Sequence, residues 1–194
     1  PFLVAASGLM LATTLGFGRS AGGASRWIQF GPVNIQPAEV AKLALIGWLA
    51  YSLSKKAERI RTFSIGFLPH VVVAGALMLL CMKQPDFGSA VMLALLTFVM
   101  LFTAGVRLGY MLGAGLLAAP IAYHLVAGSA YRMRRITAFL SPFEHRSNEG
   151  YQVAESLISL GSGGLSGVGI GDSRQKLFFL PEAHTDFISA IIGE

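Results

Sequence analysis

Long apolar runs separated by short polar breaks constrain the fold of this chain more than any other feature. The sequence is 54% hydrophobic and 13% charged, whereas soluble domains carry about 25% charged residues. A helix needs about 17–25 mostly apolar residues to cross a bilayer, and five runs approach that length: 2–17, 38–53, 65–82, 88–106 and 108–127. With a sixth run beginning at residue 187, we predict an all-α polytopic membrane protein with one integral-membrane domain over residues 1–194.

The ends of the sequence lie in or near apolar runs. It begins at Pro1 and enters a run at once, and it stops at Glu194, a few residues into another. We therefore expect the sequence to be the middle of a longer membrane protein. Residues 1–17 have neither a basic leader nor a convincing cleavage site, so we do not predict a signal peptide there.

The single cysteine and the net charge limit the classes of function. Cys81 lies within an apolar run, which predicts a buried, inert thiol and excludes a disulfide framework within one chain. The formal net charge is +5, but the basic residues lie in the loops between apolar runs. We therefore expect no binding of nucleic acid.

Charges in the loops give conflicting indications of orientation. Lys55, Lys56, Arg59 and Arg61 form a dense basic turn, which indicates the cytoplasmic side by the positive-inside rule. Segment 128–186 carries more basic residues: Arg132, Arg134, Arg135, Arg146, Arg174 and Lys176. Because long loops translocate largely regardless of charge, we predict that 128–186 is one long extracytoplasmic loop. Binding of an anionic substrate would explain the many cations in this loop.

Two parts of this loop have recognisable patterns. Residues 151–160 (YQVAESLISL) place apolar side chains at helical spacing, which predicts an amphipathic helix. Gly167, Gly169 and Gly171 then follow, in a pattern that is neither a dinucleotide-binding fingerprint nor a P-loop. Such a stretch is either a flexible linker or a backbone whose N–H groups can bind phosphate oxygens.

The loop ends with residues 180–187 (LPEAHTDF), directly before the last apolar run. His184 and Asp186 are two residues apart at the predicted boundary between water and lipid. Two interpretations are open. Thr185 or Asp186 caps the following helix, or Asp186 serves as a general base for a lipid-linked substrate.

Polar residues also lie near the ends of other runs. Arg26 and Trp27 are a typical interfacial anchor pair, and Asp86 is placed to cap the helix that follows it. Glu39 and Lys42 are i,i+3 neighbours on one helix face, where ionisable groups in a membrane span usually pair. We interpret Asp86, Glu39 and Lys42 as structural or cavity-lining.

Together these motifs resemble the SEDS family (shape, elongation, division and sporulation; FtsW, RodA and SpoVE). They occur in the family's order and cover most of the polar positions: GASRWI (23–28), QPAEVAK (36–42), QPDFG (84–88), YQVAESL (151–157), GVGIGDSRQKL (167–177) and LPEAHTDFISAIIGE (180–194). The form of the last block resembles the division or sporulation branch more than RodA. The resemblance implies a ten-helix protein of the bacterial inner membrane, of which this chain would be roughly helices three to seven and the start of eight.

The resemblance also implies an activity on the extracytoplasmic face. Family members polymerise lipid II, an undecaprenyl-pyrophosphate-linked disaccharide-pentapeptide, into glycan strands. They work with a class B penicillin-binding protein and other division proteins. The family's catalytic carboxylate matches Asp186. Substrate-binding residues would be Arg174 and Lys176, which would neutralise pyrophosphate, together with Arg26, Trp27, Glu182 and His184; Arg132, Arg134 and Arg135 are further candidates.

A divalent cation, Mg²⁺ or Mn²⁺, would fit the family, although no ligand spacing in this sequence requires one. One departure is Phe178, which stands where many division-type members carry Glu. Two other functions are open. A lipid II flippase would use Glu39, Lys42 and Asp86 along a translocation path, and a non-catalytic scaffold would only recruit a synthase.

Overall fold

The computed structural model describes residues 2–17, 19–21, 24–30, 33–164, 166–169, 171–173 and 187–194. These residues are mostly helical. The chain divides into two compact units, Pro1–Leu117 and Ala118–Glu194.

The helices of the first unit coincide with the predicted apolar runs. They are α1 (Phe2–Phe17), α2 (Pro37–Lys55), α3 (Leu68–Lys83), α4 (Phe87–Thr103) and the first part of α5 (Leu108–Ala127). A short 3-10 helix (Ala57–Arg59) and a π-helical turn (Phe63–Phe67) connect α2 to α3. Two helical segments, Phe63–Lys83 and Leu108–Ala127, are long and apolar enough to cross a membrane.

The core of this unit consists of leucines and small residues on the facing sides of the helices. Leu11, Leu45, Leu49 and Leu93 are completely buried, as are alanines on α2 and α3. Small side chains at these contacts let helix backbones approach closely, as in membrane helix bundles. Large apolar side chains also cover much of the outer surface, for example Leu43 and Leu79. That distribution fits a chain whose outside faces lipid.

A small antiparallel sheet lies between α1 and α2, and the all-α prediction omitted it. Its strands are β1 (Arg19–Ala21), β2 (Ala24–Phe30) and β3 (Val33–Ile35), in the order β1-β2-β3. Ile28 pairs with Ile35, and Phe30 pairs with Val33. The apolar pattern predicts only a connection over 18–37, because the strands are too short to form long apolar runs. The sequence does hold the signal, since Gly22-Gly23 and Gly31-Pro32 are turn dipeptides beside β-branched and aromatic residues.

The second unit contains the rest of α5 and three shorter helices, α6 (Ala130–Leu140), α7 (Tyr151–Gly163) and α8 (Ile188–Gly193). Helix α7 confirms the amphipathic helix predicted for residues 151–160. Helix α6 was not predicted, although its sequence has apolar Met133, Ile136 and Phe139 at threefold spacing between arginines. The predicted long loop is therefore partly helical, and α7 packs against α8.

Candidate functional site

Four chain segments meet at one end of the first unit, opposite the basic turn. We call this cluster, made of Thr14, Gln36, Gln84, Asp86 and Ser89, the polar end. The antiparallel path of α3 and α4 brings the end of α3 to the start of α4. A hydrogen bond joins the end of α3 to α1, and another joins the start of α4 to Gln36, the residue before α2. Its polar side chains are mostly buried.

Asp86 is the N-cap residue of α4, as predicted. Its Oδ1 accepts a hydrogen bond from the Ser89 backbone N–H at 3.2 Å, and its Oδ2 accepts one from Ser89 Oγ at 2.7 Å. Gln36 Nε2 donates a third bond to Oδ2 at 3.3 Å, which links the start of α2 to the start of α4. The carboxylate is only 6% exposed. These contacts support the structural interpretation of Asp86.

Gln84 is the member of the polar end that sequence reasoning missed. Its Nε2 donates to the Leu11 carbonyl oxygen at 2.7 Å and to Thr14 Oγ1, joining α3 to α1. The side chain is 2% exposed, and a buried amide without partners would be costly. Its position between an apolar run and the Pro-Asp pair indicates a polar residue at a helix end. The sequence does not indicate its partners, which lie about seventy residues earlier.

Glu39 and Lys42 form the predicted pair in the first turns of α2. Lys42 Nζ lies 2.6 Å from Glu39 Oε1. The Lys42 side chain is mostly buried, whereas that of Glu39 is 58% exposed, so solvent screens the ion pair on one side. Trp27 and Arg26 lie on β2, and the indole of Trp27 is partly exposed.

In the second unit, α7 and α8 form a close seam. Ser159 Oγ on α7 donates to the Ala190 carbonyl oxygen on α8 at 2.7 Å. A Cβ atom on Gly163 would lie 2.1 Å from the Gly193 carbonyl oxygen, so only glycine fits there. Val168 N–H and Ser173 Oγ both donate to Glu194, at 2.7 Å and 2.5 Å. The residues before 174 are therefore tied to the residues after 186.

The predicted catalytic segment lies between these tied ends. Asp186, Arg174, Lys176, Glu182 and His184 are all outside the described residues, as are Phe178 and Thr185. The N-cap position of α8 is Phe187, which offers no side-chain cap. The general-base role of Asp186 and the substrate-binding roles of its neighbours stay predictions.

The glycine-rich stretch has a defined backbone rather than an arbitrary one. Gly167, Gly169 and Gly171 have φ values of +75°, +120° and +91°, which L side chains rarely adopt. The N–H groups of Gly167, Val168 and Asp172 donate to carbonyl oxygens of the chain. These three groups are therefore not free to bind phosphate, which weakens that interpretation of the stretch.

The arginines of the long loop have several kinds of partner. Arg134 Nε lies 2.9 Å from Glu149 Oε1, and Arg135 stacks over the Tyr131 ring at 4.9 Å. Arg132 donates to the Leu125 carbonyl oxygen. Across the described ranges, no group of three or more His, Cys, Asp or Glu side chains is placed to hold a metal ion. The predicted divalent cation therefore has no described ligand set.

The fold and the polar end define a class of protein: a mostly helical one with long apolar helices that gather buried polar groups at one end. Within that class, the chain belongs to the FtsW, RodA and SpoVE family of cell cycle proteins, whose family model matches residues 1–194.

Similar proteins agree with this assignment. The chain is 50% identical over 186 residues to a probable peptidoglycan glycosyltransferase FtsW of Trichlorobacter lovleyi, covering 96% of this chain and 49% of that protein. It is 48% identical to the protein of the same name from Geobacter metallireducens, covering 96% of this chain and 50% of that protein. The chain thus spans about half the length of the curated relatives it matches. Their common name agrees with the predicted division branch.

A solved structure shares the fold. It belongs to a peptidoglycan synthase complex described for its structural coordination of polymerization and crosslinking, and it is 27% identical with a TM-score of 0.67. The match covers 99% of this chain and 52% of that chain. The resemblance inferred from the sequence motifs is therefore confirmed at the level of family and fold.

Proposed function

We propose that this chain is part of a peptidoglycan glycosyltransferase that polymerises lipid II into glycan strands. The observation that carries the proposal is its identity of 48–50%, over 96% of its length, to relatives named as probable peptidoglycan glycosyltransferases. The chain also contains the segment LPEAHTDF with Asp186. Together they favour an enzyme over a scaffold.

In the proposed reaction, Asp186 is the general base. Its carboxylate takes the proton from the acceptor sugar hydroxyl as that oxygen attacks the anomeric carbon of the donor. The bond to the donor's phosphate oxygen breaks, and undecaprenyl pyrophosphate leaves with its negative charge. Arg174 and Lys176 stabilise that charge, since cations aimed at a leaving pyrophosphate lower the barrier.

The seam between α7 and α8 supports a positioning role for the second unit. Ser159, Gly163 and Ser173 hold the chain on both sides of the segment that contains Asp186. A catalytic carboxylate needs a fixed approach to its substrate, because small misplacements reduce rates strongly.

We also propose a cellular location and a partner for the protein. The protein is a multi-pass protein of the bacterial inner membrane with its site on the extracytoplasmic face. It acts with a class B penicillin-binding protein, consistent with a structural relative that belongs to a complex coupling polymerization to crosslinking.

The test is polymerisation of lipid II by the purified full-length protein with its partner. Asp186→Asn keeps the shape of the side chain and removes the base, so the rate should fall about 100-fold or more. Asp172→Asn is the matched control, because Asp172 is an exposed carboxylate in the same loop. It should retain near wild-type activity. Full activity of Asp186→Asn, with both variants folded, would remove Asp186 from the mechanism.

The flippase interpretation is not favoured. Asp86 is occupied by three hydrogen bonds and Lys42 is paired with Glu39, so neither presents an open polar path. Lipid II scrambling in liposomes that depends on Asp86 or Glu39 but not on Asp186 would reverse this conclusion.

A further inference from the structure

The basic turn between α2 and α3 is a second concentration of charge, separate from the residues proposed for catalysis. Lys55, Lys56, Arg59 and Arg61 lie within seven residues, and Glu58 is the only acid among them. The turn is far from the polar end along the bundle, since α2 begins at that end and finishes here.

Within the described residues, these cations have no carboxylate in salt-bridge distance. None of the four forms a salt bridge with any residue in the part of the chain that the structure describes. Lys55 instead lies over the ring of Tyr51, with its Nζ 5.7 Å from the ring centre. Four neighbouring cations repel each other, so an anion bound among them would be stabilised.

The turn borders an open cleft. Lys55, Lys56 and Arg59 line it together with one carboxylate, that of Glu58, and with Ser54, Ala57 and Ile65, and its volume is about 600 Å³. Three cations, one carboxylate and one hydroxyl group therefore border a space large enough for a phosphodiester headgroup, and the cations outnumber the carboxylate. Ala57 and Ile65 add apolar surface to the lining, which a simple inorganic anion would not use.

Backbone contacts hold the turn in one conformation. Thr62 Oγ1 donates to the Arg59 carbonyl oxygen at 2.7 Å, and Gly66 N–H donates to the Thr62 carbonyl oxygen at 2.9 Å. A Cβ atom on Gly66 would lie 1.8 Å from the Ile60 carbonyl oxygen, so only glycine allows the two backbone segments to approach this closely. The backbone that carries the cations is thus ordered before any ligand binds, which lowers the entropic cost of binding.

Large apolar side chains outside the cleft lining are exposed on the segments that flank the turn. Tyr51, Phe63 and Leu68 are exposed at the end of α2 and the start of α3. Positive charge next to exposed aromatic and aliphatic surface fits a ligand that is anionic at one end and apolar at the other. Phospholipids with an anionic headgroup have that chemistry.

We propose that the basic turn is a binding site for an anionic phospholipid, with Lys55, Lys56 and Arg59 around the headgroup phosphate and the acyl chains beside Phe63 and Leu68. The positive-inside rule requires only charge on this side of the membrane. A cleft on an ordered backbone goes beyond that rule, because it offers one defined place for a phosphate.

Arg107 provides a matched control. It lies in the turn before α5, and the Tyr110 ring contacts those of Phe63 and Phe67 at 5.3 Å and 5.8 Å between ring centres. The start of α5 is therefore next to the start of α3, so Arg107 is an exposed cation at the same end of the bundle. It does not line the cleft.

The experiment measures phospholipid binding to the full-length protein in detergent by native mass spectrometry. Each cation near an anionic lipid contributes about fivefold to affinity, so Arg59→Gln should weaken phosphatidylglycerol binding about fivefold. Lys55→Gln/Lys56→Gln/Arg59→Gln should weaken it roughly a hundredfold. Arg107→Gln should change it less than about twofold. Lys55→Arg/Lys56→Arg keeps the charge and should retain binding, which separates loss of the site from loss of folding.

Three outcomes would overturn the proposal. Equal affinity for phosphatidylcholine would show that the headgroup charge is not recognised. Equal losses from Arg59→Gln and Arg107→Gln would show a general surface charge effect without a site. Displacement of the lipid by an equal concentration of soluble glycerol phosphate would show a site for a soluble anion only.

Discussion

Asp86 is a buried carboxylate whose described hydrogen bonds serve the fold. It caps α4 through the Ser89 backbone and holds Gln36 at the start of α2. Buried carboxylates often mark catalytic sites, but a carboxylate that accepts several hydrogen bonds from its own helix start is already stabilised as an acceptor. The position of a carboxylate in a motif is therefore weaker evidence for catalysis than its unused hydrogen-bonding capacity.

This role predicts how substitutions at Asp86 affect stability. Asp86→Ala removes the cap and leaves Gln36 and Ser89 without their acceptor, so the free energy of unfolding should fall by about 2 kcal/mol. Asp86→Asn keeps a capping oxygen and should cost less than about 1 kcal/mol. Thermal unfolding of the full-length protein in detergent measures both. Equal losses in the two variants would show that the charge of Asp86, rather than its capping oxygen, stabilises the fold.

Between elements, the α7–α8 seam shows how the second unit brings distant segments of chain together. One of its contacts needs a glycine, namely Gly163 on α7, where a Cβ would meet the backbone of α8. The left-handed glycines that follow α7 turn the chain back toward Glu194. Glycine thus serves close approach at the seam and backbone conformation in the turn.

A pair of glycines on α7 tests whether the seam matters for activity. Gly163→Ala places a Cβ 2.1 Å from the Gly193 carbonyl oxygen, so α7 and α8 must separate and lipid II polymerisation should fall at least tenfold. Gly161→Ala has open space around its added methyl group and should leave the rate within about twofold of wild type. Rates are measured with equal amounts of folded protein.

If Gly163→Ala polymerises lipid II as fast as Gly161→Ala, the seam does not position the catalytic segment. That result would leave the proposed role of Asp186 untouched, because the two substitutions change packing and not the base.

For the whole molecule, orientation in the membrane connects the two proposed sites. The helix order places the basic turn and the start of α5 at one end, and the polar end at the other. If the basic turn is cytoplasmic, the predicted long loop after α5 is extracytoplasmic, on the side where we propose that lipid II is polymerised.

Cysteine labelling tests this orientation. Cys81 is buried, so it gives little background in this part of the protein. A membrane-impermeant maleimide should label Asp172→Cys in intact spheroplasts, and should label Glu58→Cys only after the membrane is permeabilised, since both positions are exposed. Labelling of Glu58→Cys in intact spheroplasts would reverse the orientation and place the basic turn outside.

Local sequence information was sufficient for the long helices, the Asp86 cap, the Glu39–Lys42 pair and helix α7. Each depends on residues a few positions apart, through the length of an apolar run, an N-cap or helical spacing. The family was also readable, because its motifs are contiguous. The sheet between α1 and α2 was not predicted, because its strands are short. The sequence indicates it only through turn dipeptides, whereas the helices are indicated by long apolar runs.

Tertiary structure alone decided which of these pieces meet. Gln84 reaches Leu11 across 73 residues, Gln36 reaches Asp86 across 50, and Ser159 reaches Ala190 across 31. No local pattern predicts such pairs, because each depends on how helices pack and on whether small residues allow them to approach. The sequence therefore determined the helices, their end groups and the family. Packing determined that polar side chains at one end of the first unit hydrogen-bond between helices, and that a glycine seam joins the two sides of the predicted catalytic segment.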